Sequence, residues 1–130
     1  MLPSLTLDVI AEPVAIIGLP ATAPLPAWTA QARAFLCVAR TPTELSVVAD
    51  AAVVPPELRP ARAHRAFRVR GPLPLDLVGI FAAVADPLAQ AAIPIFPVAT
   101  FETDYLLVEE QDLVRATSVL VAAGHVVEAA

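Results

Sequence analysis

Two stretches near the middle of the chain hold the residue types from which a small-molecule site can be built. In Gly71-Pro72-Leu73-Pro74-Leu75-Asp76-Leu77-Val78-Gly79-Ile80-Phe81 a strand end turns into the start of an apolar helix. The first N–H groups of a helix lack intrahelical partners and attract a carboxylate. Gly79 has no side chain to keep a ligand from the backbone. In Ile95-Phe96-Pro97-Val98-Ala99-Thr100-Phe101-Glu102-Thr103-Asp104-Tyr105 a strand runs into a polar turn. Asp104 there is the best acceptor for an ammonium group, with Asp76 second. A helix N-terminus facing an acidic turn can hold both charged ends of a free amino acid. The same residues have a plainer reading, with Asp76 an N-cap, Gly79 a packing glycine and Asp104 a turn former.

Other chemistries find less support. All eight basic residues are arginine, which excludes Schiff-base catalysis and a P-loop lysine. Cys37 has no second cysteine and lies in the apolar run Phe35-Leu36-Cys37-Val38, so a buried, inert thiol is expected. His64 and His125 are far apart and lack neighbouring metal-ligand or catalytic motifs. With no nucleophile–base pair, metal cluster or phosphate loop, a non-enzymatic protein without cofactor or metal is expected. An acid–base pair of Asp76 and Asp104 is the one enzymatic arrangement the residue types permit. Arg59, Arg62, Arg65, Arg68 and Arg70 could form a nucleic-acid stripe or a salt-bridged strand face. A net charge of −5 and the single interleaved aromatic, Phe67, favour the second.

The elements that must position these residues can be read in outline. At 130 residues the chain suits one compact domain or two small ones. Its 58% apolar content reflects both abundant alanine and faces buried against partners, and such faces favour a homo-oligomer. The longest uncharged stretch, Pro13 to Ala32, contains Pro20, Pro24 and Pro26 and cannot be a membrane helix. Met1-Leu2-Pro3-Ser4 has no basic n-region, so a cytoplasmic location is expected. Leu5–Ile10, Val14–Leu19, Phe35–Arg40 and Leu45–Ala49 read as strands, and Trp28 as a lid on a small core. The proline-rich connector Val54–Arg62 sets a boundary between residues 1–62 and 63–130.

In the second half, Phe67 and Val69 alternate with Arg68 and Arg70 as in a half-buried strand. Leu77, Ile80, Phe81, Val84 and Leu88 recur at helical spacing, with a kink or restart expected at Asp86-Pro87. Ile93–Ala99 is a strand that Pro94 and Pro97 confine to an edge, and Tyr105–Val108 is another. Leu113, Ala116, Thr117, Leu120 and Val121 mark a second helix, ended by Gly124 and followed by a short strand at His125-Val126-Val127. This order gives a four-stranded antiparallel sheet with both helices on one face, the α+β, ferredoxin-like βαββαβ arrangement. The first half offers four strands to extend or cover that sheet.

Four pieces then carry a resemblance: Pro24-Leu25-Pro26-Ala27-Trp28, Arg40–Val48, Gly71–Phe81 and Ile95–Val108. Their order resembles the ACT domain family, and within it short bacterial tandem-ACT proteins related to the eukaryotic cytosolic arginine sensors (the CASTOR group). The resemblance covers nearly the whole chain and implies two ACT-like units, the first degenerate and strand-rich. It implies a regulatory or sensing protein that binds a small ligand, such as a free amino acid, at the seam between units. By position, Asp76, Leu77, Val78 and Gly79 would be the loop and helix start, Ser46 and Val47 the opposing wall, and Thr100, Phe101, Thr103 and Asp104 the polar turn. The chain departs from the family's usual pattern at Pro94 and Pro97. An interaction module whose ligand site has decayed is the alternative.

Overall fold

A computed structural model describes residues 3–74 and 76–129; Leu75, inside the first of the two stretches, lies outside them. The described elements are β1 (Thr6–Val9), β2 (Val14–Leu19), β3 (Leu36–Arg40), β4 (Leu45–Asp50) and β5 (His64–Val69), then α1 (Ile80–Gln90), β6 (Phe96–Ala99), β7 (Asp104–Glu109), α2 (Leu113–Ala122) and β8 (Val126–Ala129). They divide into two compact units. One joins the N-terminal segment through Ala11 to everything from Arg65 onward, and the other is Glu12–His64.

The larger unit has the expected strand–helix–strand–strand–helix–strand order. Strand alternation sends Leu7, Phe67, Val69, Leu106 and Val108 to one sheet face, where they meet Ile80, Val84 and Leu88 of α1 and Ala116 and Leu120 of α2. Both helices therefore share one core with one face of the sheet, the ferredoxin-like arrangement. Within this unit β1, from the first half of the sequence, extends the expected four strands to five. β1 lies between β5 and β8, antiparallel to the first (Leu7↔Val69) and parallel to the second (Leu7↔Val127), while β7 pairs with β5 and β6. β6 pairs with β7 alone among the described strands, so Pro97 sits on an edge.

On the opposite face Asp8 is buried between two arginines of the sequence cluster. Its carboxylate accepts from Arg70 and lies 3.5 Å from Arg68, and Arg70 also pairs with Glu128 at 3.6 Å. Arg65 donates to the carbonyl of Ile10 and Arg59 to that of Val54. These arginines are engaged inside the fold.

α1 runs unbroken through Pro87, where the sequence predicts a kink or restart. Proline has no N–H for the carbonyl one turn earlier, here that of Ala83. The buried His125 supplies the missing donor, with Nε2 2.7 Å from the Ala83 carbonyl oxygen. Its Nδ1 accepts the N–H of Leu5 at 3.1 Å. Leu77 and Phe81 are exposed, not part of the buried face. The helix starts at Ile80, so Leu77 precedes it and Phe81 is turned about 100° away from the Ile80–Val84–Leu88 stripe.

In the smaller unit β4 is central, antiparallel to β2 (Ile17↔Val47) and to β3 (Val38↔Val47). A five-residue 3-10 turn, Ala27–Gln31, follows the loop that holds Pro20, Pro24 and Pro26. Trp28 packs on this small core, against Ala15, Ile17 and Val54 and against Leu45, Val47 and Ala49. Two further 3-10 turns follow β4, Ala51–Val53 just before the proline-rich connector and Pro56–Leu58 within it. Cys37 on β3 is half-buried rather than buried. No helix among the described residues is long and apolar enough to cross a membrane.

Candidate functional site

The two stretches face each other across a hollow of about 90 Å³ lined by Leu73, Pro74, Leu77, Ile80, Thr100, Phe101, Glu102, Thr103 and Asp104. Short bonds between the two walls build it. The N–H of Leu73 donates to the Glu102 carbonyl at 2.8 Å, and the buried Thr103 hydroxyl donates to the Val69 carbonyl at 2.6 Å. The turn is closed on itself by the Thr100 N–H and hydroxyl, which donate to the Thr103 carbonyl at 2.9 and 2.8 Å. Both threonine hydroxyls are thus engaged in holding the wall.

Gly71 lets the walls approach this closely. A Cβ there would lie 3.0 Å from the Leu73 nitrogen and 3.3 Å from the Glu102 oxygen and Thr103 Cβ. Gly71→Ala is therefore expected to push the turn away from the Leu73 segment and cost about 1–3 kcal/mol, the usual range for overpacking. Chemical denaturation measures this, and a wild-type midpoint would disprove it.

Opposite charge character meets across the hollow. At one end is the start of α1, capped by Gly79 in a left-handed conformation (φ 84°) that disfavours side chains. Gly79 has no side chain to cap this helix, and the N–H groups of the first turn lack intrahelical partners. Ile80, the first helical residue, lines the hollow. At the other end stand Asp104, half-buried, and Glu102, exposed. Among the described residues neither carboxylate makes a hydrogen bond or ion pair. No arginine or histidine is among the lining residues.

Residues 62–122 match the ACT domain family. The chain is thus similar to the ACT domain family over that region. It also belongs to one family with protein Atu0741 from Agrobacterium tumefaciens, to which it is 33% identical with a TM-score of 0.90, covering 98% of this chain and 95% of that one. At lower identity the fold is similar to two further structures. One is a candidate C-terminal regulatory domain of aspartate kinase from Porphyromonas gingivalis (13% identical, TM-score 0.55, covering 90% of this chain and 94% of that one). The other is the allosteric aspartate kinase of Clostridium acetobutylicum (13% identical, TM-score 0.61, covering 94% of this chain and 35% of that one). None of the curated proteins matches the chain.

Within the matched region, the hollow brings together Leu77, Thr100, Phe101, Thr103 and Asp104 of the residues singled out in the sequence. Gly79 adjoins it as the helix cap. Asp76 is exposed and does not cap α1, and Val78 is 84% exposed; neither lines the hollow. Ser46 and Val47 lie on β4 of the other unit, where Val47 is fully buried against that unit's own core. Leu73, Pro74, Ile80 and Glu102 were not singled out individually, although all four fall within or beside the quoted turns. Glu102 had a readable signal as a second carboxylate two residues before Asp104.

Proposed function

We propose that the ACT domain binds a free α-amino acid in this hollow and serves as a regulatory sensor. The observation that carries the reading is the pairing of a helix start that no side chain caps with two unengaged carboxylates across one small concavity. The first-turn N–H groups suit an α-carboxylate. Asp104, with Glu102 beside it, suits the α-ammonium. The ACT family match and the fold shared with an aspartate kinase regulatory domain support a regulatory role.

The charge of the lining sets a selectivity. Two carboxylates with no base among the lining residues repel an acidic side chain. Neutral and cationic amino acids are expected to bind at least about tenfold more tightly than aspartate or glutamate, a difference of about 1.4 kcal/mol. Calorimetric titration of the twenty amino acids measures it, with Asp104→Ala as the variant expected to lose binding. No heat or melting shift with any amino acid, or an Asp104→Ala variant that binds as wild type does, would dismiss the reading.

One feature favours a second reading. Phe101 (82% exposed) and Leu77 (48% exposed) line the hollow, and Val78 (84% exposed) is next in sequence, so an apolar edge accompanies the site. In an interaction module a second copy would cover that edge without any ligand. Light scattering during the same titration separates the two readings. Assembly that ignores every amino acid supports the module, and assembly that responds to one supports the sensor.

A further inference from the structure

In the smaller unit backbone donors converge on a carboxylate that belongs to the chain itself. Arg33, Ala34 and Phe35 follow the Ala27–Gln31 turn and lead into β3. Their three consecutive N–H groups meet the side chain of Asp50, the last residue of β4. Oδ1 accepts from Ala34 at 3.1 Å and Phe35 at 2.8 Å, and Oδ2 accepts from Arg33 and Ala34 at 3.0 Å each. Asp50 is only 7% exposed, and among the described residues no cationic side chain pairs with it. Burial acts to raise its pKa, yet the N–H groups of Ala34, Arg33 and Phe35 outweigh burial and hold the pKa below the ordinary carboxylate value. Successive amides arranged around one anion are the geometry of a backbone nest, and bonds from N–H to an ionised oxygen are among the stronger ones in a protein. A hollow of about 610 Å³ lined by Ala30, Gln31, Ala32, Arg33 and Val53 lies beside it and shares Arg33 with it.

We propose that the amides of Arg33, Ala34 and Phe35 form a carboxylate-binding site that Asp50 fills from within the chain, and that accepts a small free carboxylate once that side chain is removed. The site fixes the segment between the 3-10 turn and β3 with no external ligand. The smaller unit is thereby held in its bound arrangement permanently. Any response to an amino acid is left to the ACT domain; this last consequence alone rests on the function proposed above.

The test is rescue of Asp50→Ala. Its melting temperature is expected to fall by several degrees, and formate or acetate is expected to recover more than half of the loss by binding the folded state. Chloride and acetamide at matched concentration should do nothing, and wild type should not respond to formate. Equal recovery with chloride or acetamide, or none with formate, overturns the proposal. If Asp50→Ala does not fold, Asp50→Asn replaces the charged acceptor by a neutral one of the same shape. Amide hydrogen exchange at Arg33, Ala34 and Phe35 should then quicken about tenfold or more while Val47 and Val48 keep their rates. Unchanged exchange at the three amides overturns the proposal just as firmly. Amino-acid titration of the same variant reads the ACT-domain hollow separately, so its failure counts against the proposed function and leaves the nest standing.

Discussion

His125→Phe is expected to destabilise the protein by about 2–4 kcal/mol although it keeps a ring in the site. The imidazole joins three segments through backbone bonds. Nε2 donates to the Ala83 carbonyl and Nδ1 accepts from the Leu5 N–H, while the His125 N–H itself donates to the Leu120 carbonyl. Phenylalanine leaves the first two groups without partners, and each orphaned buried group costs about 1–3 kcal/mol. The Ala83 carbonyl has no alternative, because the residue one turn on is Pro87. This yields a second, more searching result. Pro87→Ala supplies the missing helical N–H, so the double variant should recover about half of the loss and show clear coupling in a double-mutant cycle. Urea denaturation of the four proteins measures it. A double variant no more stable than His125→Phe would mean that the Ala83 carbonyl is not what the imidazole serves.

The same residues explain what a reader of the sequence can and cannot see. The βαββαβ order is legible because it is local. Phe67 and Val69 alternate, and Leu113, Ala116 and Leu120 recur at helical spacing; the core is built from such residues. The place of β1 is not legible, since its partners lie about sixty and about one hundred and twenty residues away and pairing leaves no local mark. The continuity of α1 is hidden for the same reason. Pro87 reads as a break until His125, thirty-eight residues later, is known to supply its lost donor. The two walls of the hollow are legible because each is a turn with its own chemistry, Gly71–Phe81 and Thr100–Asp104. Which side chains the turn keeps for itself is not legible. Thr100 and Thr103 read as ligand contacts, but their hydroxyls are engaged with the Thr103 and Val69 carbonyls.

Long-range pairing also decides the second large effect, at Asp8. Asp8→Asn is expected to cost about 1–3 kcal/mol at neutral pH and almost nothing at low pH. The carboxylate stands opposite Arg68 in the β1–β5 register and accepts from Arg70 across the same sheet face. The hydrogen bond from Arg70 is the main reason that its pKa is lowered. Burial opposes this, and the charges of Arg70 and Arg68 reinforce it. A carboxylate whose folded pKa is depressed stabilises the fold fully above its unfolded pKa, about 3.9. That contribution is lost as pH falls through the lower, folded value, where both states carry the proton. The gap between wild type and Asp8→Asn should therefore be full at pH 7 and pH 5, shrink below about pH 4, and close in stronger acid. Taking the difference between the two proteins cancels other acid-sensitive groups such as Asp50, whose pKa is lowered by a separate set of donors. Arg70 is itself half-exposed, so salt should trim the effect without abolishing it. A gap that persists unchanged to pH 3 would assign the loss to the shape of the side chain, and the arginines beside it would then be spectators.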